Sequence, residues 1–251
     1  MGGTSKAIVI SSGHGQYVRG AKGFLDEVDE ARRIVDAVAK YLREHGATVY
    51  VYHDNTSRTQ RDNLNAIVAY HNGKQRSLDV SVHLNAASTT NDPRGCEVLY
   101  YDAKQSAVNV SKAMAVAGCF KDRGAKERRD LAFLAGTHEK ALLLETCFVD
   151  SKADAELYQR NFDAICVAIA VAIAKEAGIT LCMPNQPAPI VPERNDDIMQ
   201  FTIKETKEAV RALLQQAVDS KKIDKSWLDK FDAGTLTSGD FEGLKIIISQ
   251  R

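Results

Sequence analysis

The chain predicts an α/β domain, a mostly parallel twisted sheet with helices on both faces, followed by a small, mainly helical C-terminal module. Three observations point there. Short apolar, β-branched runs alternate with segments of helical period, the pattern of strands joined by crossover helices. Glycines such as Gly46 and Gly73 stop two of the helical segments. Four of the five prolines fall in "TLCMPNQPAPIVPERNDD", residues 180–197, which reads as an extended tether between the two parts.

The elements follow in order. "AIVIS" (Ala7 to Ser11) is a buried strand that halts at Ser-Ser-Gly-His-Gly, where flanking glycines leave His14 uncrowded. In "EVDEARRIVDAVAKYLREHG" the positions Val28, Ala31, Ile34, Val35, Val38 and Leu42 keep helical spacing. "ATVYVYH" (Ala47 to His53) is a strand and "TQRDNLNAIVAYHNG" a helix. Strands over Leu78 to Leu84 and Cys96 to Tyr101 precede a helix around Ser106 to Phe120, and a short strand is expected near Leu131 to Leu134. Ala141 to Val149 reads as a core strand and Asp154 to Ala177 as the closing helix. Within that helix, "ICVAIAVAIA" is too short for a membrane span and is bounded by Asp163 and Lys175, so it predicts a buried core helix.

The predicted divisions are a main domain over 1–179, the linker over 180–197 and the module over 198–251. Thr202 and Glu205 form a capping box that opens a helix to about Ala217. "SWLDKF" predicts a second helix stopped near Gly234, with Trp227 and Phe231 expected as its core rather than as a ligand platform. "LTSGDFEGLKIII" is ambiguous between helix and strand. At roughly 55 residues the module is near the smallest size that folds alone.

Bulk properties exclude several classes. With 251 residues, 33 basic and 33 acidic, the net charge is +0, which leaves no footprint for nucleic acid or for a polybasic membrane anchor. Five cysteines without a CxxC pair argue against a disulfide framework and for a reducing compartment. "MGGTSKAIVISSGHG" lacks the pattern of a signal peptide, so synthesis in a host cytoplasm, with action elsewhere only after release, is the expectation.

Chemistry-bearing residues gather at predicted strand ends. His14 follows the first strand, His83 sits in "SVHLNA", and Glu145 sits in "LLLETCF"; Glu27 opens the first helix. Ligands of open α/β sheets bind outside the carboxyl ends of the strands, so these side chains can meet. Two imidazoles and a carboxylate suit Zn2+ with one coordination position left for water. A carboxylate among Leu142, Leu143 and Leu144 is costly to bury without a purpose, which makes Glu145 a candidate general base.

At "SSGHG", "LDEVDEARRIV", "SVHLNA" and "ALLLETCFVD", in that order, the chain resembles the zinc-dependent N-acetylmuramoyl-L-alanine amidases, cell-wall hydrolases known as bacterial autolysins and phage endolysins. The resemblance spans roughly residues 6 to 177. It implies His14, Glu27 and His83 as ligands of one Zn2+ per chain and Glu145 as the catalytic glutamate. Glu30 competes with Glu27, but Glu27 leaves Ile34, Val35, Val38 and Leu42 where the family places its helix core. "SSGHG" departs from the Asp-Pro that many members carry before Gly-His-Gly. The implied reaction hydrolyses the amide between N-acetylmuramic acid and the L-alanine of the stem peptide, by zinc-activated water with Glu145 as base. Bacterial peptidoglycan is then the expected partner, and the lack of a signal-peptide pattern favours a phage or prophage endolysin, or a lytic enzyme freed with its cell.

Rival readings are a zinc-dependent peptidoglycan peptidase and a non-catalytic wall-binding protein. A thiol enzyme would use Cys147, on the face of Glu145 by strand alternation, with His83 or His138 as base. Asn85, beside His83, is a further candidate for holding the site. The C-terminal module is expected to target the cell wall or to mediate self-association into a homo-oligomer.

Overall fold

The computed structural model describes residues 6–182 and 204–237, with positions 240, 241, 244 and 248. The chain divides into two compact units, Met1–Met183 and Pro184–Arg251. Most of the proline-rich stretch, from residue 183, lies outside the described residues, as does Thr202 of the expected capping box.

The first unit is built on a six-stranded sheet. Its strands are β1 (Ala7–Ser12), β2 (Thr48–Tyr52), β3 (Leu78–Asn85), β4 (Cys96–Tyr100), β5 (Asp122–Glu127) and β6 (Ala141–Phe148), in the order β2-β1-β3-β6-β4-β5. All neighbours pair in parallel except β4 with β6. The expected mostly parallel sheet is therefore present, with β4 and β5 running against the other four.

Alternation along β3 sends Leu78, Val80, Val82 and Leu84 into the main core, where they meet Ile34, Val35, Val38 and Leu42 of α1 (Glu27–Glu44). Helices α3 (Lys104–Gly118) and α5 (Lys152–Glu176) complete that face. By length and composition α5 could cross a membrane, but Ile165, Ile169 and Ile173 are buried in this core. The opposite face carries α2 (Gln60–Asn72) and α4 (Ala132–Gly136), with Ile67, Phe133 and Leu134 packed on Leu99 and Leu143.

Two expectations change. The strand expected near Leu131 to Leu134 is instead the short helix α4, in which adjacent Phe133 and Leu134 are both buried, as strand alternation does not allow on a one-sided surface. The strand in this region is β5, "DRGAKE", a charged and largely exposed sheet edge without an apolar period. Lysine and other charges are the ordinary protection of an edge strand against further pairing.

In the second unit α6 (Lys204–Asp219) and α7 (Ser226–Asp232) enclose Leu214, Leu228, Phe231, Leu236 and Leu244. Arg211 pairs with both carboxylate oxygens of Asp232 at 2.7 Å. Phe231 is buried, and Trp227 packs on the same core with Lys230 Nζ 4.4 Å above its ring. Of the ambiguous segment, the described positions Asp240, Phe241, Leu244 and Ile248 are helical, whereas Leu236 and Thr237 are not.

Candidate metal centre

The loop after β1 is built for close approach. Gly13 N donates to Val82 O at 2.9 Å, which ties the strand end to β3. A Cβ on Gly13 would fall 1.8 Å from His83 Nε2, and one on Gly20 2.2 Å from Glu27 Oε2. Backbone thus packs directly on the functional side chains, and only glycine permits it. Downstream, Asp54 receives the loop: its carbonyl accepts from Gln16 N at 2.8 Å, and its carboxylate is held by Asn63 and the amides of Thr56 and Ser57.

Asp26 caps α1, accepting from Val28 N and Asp29 N, and this fixes Glu27 in the first turn with its side chain turned inward. Glu27 Oε1 lies 3.1 Å from His83 Nδ1 and 3.4 Å from His14 Nε2. It also accepts from Leu84 N, while Oε2 accepts from Ala21 N at 2.7 Å. The two imidazoles stand edge to face at 5.1 Å. Ligand atoms of His14, Glu27 and His83 all lie within 4.8 Å of one another. Glu30 faces elsewhere, accepting from Tyr158 Oη and pairing with Arg33.

Burial opposes charge on Glu27, but hydrogen bonds from His14 and His83 outweigh it and hold the carboxyl well below the usual range. Burial also lowers the His83 pKa, which favours the neutral imidazole that a metal requires. Nitrogen, nitrogen and oxygen donors at this spacing fit a tetrahedral Zn2+ site with one position open.

Glu145 lies beside this cluster, in register with His83 on β3 and with Glu97 on β4. Its Oε2 is buried and finds no donor among the described residues. Burial, with repulsion from Glu27 and Glu97, pushes its carboxyl up to about 8 against the pull of Arg128.

Strand alternation misplaces Cys147. Between His83 and Asn85 the β3–β6 register shifts, pairing Glu145 with His83 but Phe148 with Asn85, so β6 carries an extra residue. The bulge turns Cys147 into the main core with Leu142 and Leu144, whereas Glu145 keeps the face of Leu143 and His83. Burial raises the Cys147 thiol well above its ordinary value, and His138 is exposed before β6 begins. The same-face placement of Cys147 and Glu145 expected from alternation is thus overturned, and with it the ground for the rival thiol mechanism.

Asn85 does not reach the cluster; its Nδ2 donates to Glu97 Oε1 at 3.1 Å, and Arg123 Nε donates to the other oxygen at 2.8 Å. Glu97 and Arg123 escaped the sequence reading, although a charge in the apolar strand "CEVLY" was the available signal. A cleft of about 280 Å3 opens next to His14 and His83, walled by Leu64, Ile67, Phe133 and Leu143 with Asn63 and Asp130.

Residues 8–175 match the sequence model of a family described as N-acetylmuramoyl-L-alanine amidase. The chain belongs to this family. Among solved structures, the amidase is similar to the catalytic domain of the CD27L endolysin targeting Clostridia difficile, with 25% identity and a TM-score of 0.62 over 67% of this chain and 97% of the other. It is similar to amidase AmiC2 of Nostoc punctiforme, with 26% identity, a TM-score of 0.59 and coverages of 70% and 99%. A putative amidase from Neisseria meningitidis gives 28% identity, a TM-score of 0.59 and coverages of 71% and 100%. No curated protein matches the chain.

Proposed function

We propose that this amidase cleaves peptidoglycan between N-acetylmuramic acid and L-alanine as a zinc enzyme, with His14, Glu27 and His83 holding one Zn2+ per chain and Glu145 as general base. The observation that carries the reading is one carboxylate, Glu27, facing two imidazoles, beside a second carboxylate, Glu145, whose buried Oε2 has no donor among the described residues. When bound, zinc supplies Lewis acidity, which polarises a carbonyl and makes water nucleophilic near neutral pH.

The chain's own groups do the rest. Glu27, ionised and fixed by two backbone amides, brings negative charge to the donor set and orients it. Glu145 Oε2 has a free lone pair with which to take a proton from the attacking water and pass it to the leaving nitrogen. Its raised proton affinity suits both halves of that transfer. The largely apolar cleft beside His14 gives substrate a place to lie with water excluded.

The biological role follows as part of the same proposal. The CD27L endolysin domain, to which the chain is similar, is one precedent for a phage or prophage endolysin; synthesis in the host cytoplasm and action on the wall after release belong to the proposal. The second unit, with its own core, serves wall targeting or self-association into a homo-oligomer.

The test is metal content of purified protein beside His14→Ala, Glu27→Ala and His83→Ala. One zinc per chain, lost in each variant while the fold is kept, supports the assignment. Retained stoichiometric zinc in all three places the metal elsewhere.

A further inference from the structure

Two serines precede the Gly-His-Gly turn, and each ends a hydrogen-bonded chain of its own. On one face of β1, Ser11 Oγ lies 3.0 Å from His71 Nε2, and His71 Nδ1 lies 2.8 Å from Asp79 Oδ1. Arg76 clamps the same carboxylate through Nε at 2.9 Å and Nη2 at 2.8 Å. An Asp79 carboxylate so paired takes the Nδ1 hydrogen of His71, so Nε2 accepts and Ser11 donates. On the other face, Ser12 Oγ lies 2.9 Å from His53 Nδ1, and His53 Nε2 lies 3.2 Å from Asp36 Oδ1 of α1. Ser12 Oγ is also 3.4 Å from the backbone oxygen of His14.

The first chain has the order of a hydrolytic triad, but Ser11, His71 and Asp79 are fully buried, so no substrate carbonyl reaches that hydroxyl. Its effect must be mechanical. Successive strand residues point to opposite faces, so the end of β1 is gripped from both sides at adjacent positions. The next residue is Gly13, whose backbone rests on the His83 ring, and the one after it is His14. A small shift of Ser11 or Ser12 therefore displaces both imidazoles facing Glu27.

We propose that Ser11 and Ser12, each the end of a serine–histidine–aspartate chain on its own face of the sheet, are positioning residues that set the metal affinity of the centre. The proposal rests on His14, Glu27 and His83 forming a metal site. Ligand orientation by supporting hydrogen bonds is commonly worth about 10- to 100-fold in metal affinity. A hydroxyl here does this at one remove, through the strand end.

The experiment compares the full chain with Ser11→Ala, Ser12→Ala, Asp36→Ala and Asp36→Asn. Zinc affinity is measured by competition with a chromophoric chelator, the visible spectrum is recorded with Co2+, and the melting temperature is taken without metal. Ser11→Ala and Ser12→Ala should each lower zinc affinity about tenfold and alter the Co2+ spectrum, while the metal-free melting temperature falls by only a few degrees. Asp36→Ala, on the surface of α1, should give a smaller loss that Asp36→Asn restores by keeping an acceptor. If Ser11→Ala does not fold, Ser12→Ala and Asp36→Ala decide the matter. Wild-type affinity and spectrum in the variants, whatever their melting temperatures, overturn the proposal. Failure of the wild type to bind zinc in the same titration overturns the metal site itself and this proposal with it.

Discussion

Glu145 and His83 are register partners on adjacent parallel strands, and they differ in how their polar atoms are satisfied. His83 Nδ1 lies against Glu27, whereas Glu145 Oε2 is buried without a donor among the described residues. Burying that oxygen without a partner is costly, and the cost makes it testable.

Replacing Glu145 by Gln should reduce turnover about 10²- to 10⁴-fold, the usual contribution of a general base. In the metal-free protein the same change should remove a pH-dependent weakness. With the folded carboxyl at about 8 and an unfolded glutamate near about 4.3, the folded state alone holds the proton between these values. The resulting stability is complete below the unfolded value and is lost as pH rises through about 8. Wild-type melting temperature should therefore fall relative to Glu145→Gln between acid and alkaline pH. Parallel curves for the two proteins contradict this.

Gly13→Ala places a methyl group where the His83 ring now lies. Zinc affinity should fall by about a hundredfold or more with helix content retained, as calorimetry and circular dichroism would show. Unchanged affinity means that the loop adjusts without moving the imidazoles.

Thiol alkylation of the native protein should modify Cys119 and Cys182, which are exposed, and leave Cys96, Cys147 and Cys166 intact. Activity should survive. Inactivation together with mass-spectrometric labelling of Cys147 would return the thiol mechanism to consideration.

Asp79→Asn strips Arg76 of a buried partner and should cost about 3–5 kcal/mol in urea denaturation near neutral pH. Burial opposes charge on Asp79, but bonds from His71 and Arg76 prevail and hold its carboxyl below the usual value. Its contribution is thus present above the ordinary carboxylate pKa and disappears as pH falls through the depressed value. The gap between wild type and variant should close in acid; a gap that persists there would show that charge is not the cause.

Most of the strands, and His14, His83 and Glu145 as candidates, were legible from local signals, whereas Glu27 was set apart from Glu30 only by the family resemblance. Apolar runs end in glycine, and Glu145 is a charge among leucines. Asp79 in "LDVSVHL" carries the same signal, but its partners Ser11 and His71 come from distant segments, and only the parallel pairing of β1 with β3 joins them. The bulge that separates Glu145 from Cys147 was invisible, since it depends on register between strands rather than on any residue of β6. Strand β5 was missed because edge position, not burial, selects its charged sequence.

The most direct measurement is product analysis after digestion of purified peptidoglycan, with Glu145→Gln and a chelated sample alongside. Digestion should free new L-alanine amino termini without new reducing sugar ends, and neither control should free any. Release of other amino termini or of reducing ends, or full activity in Glu145→Gln, would contradict this.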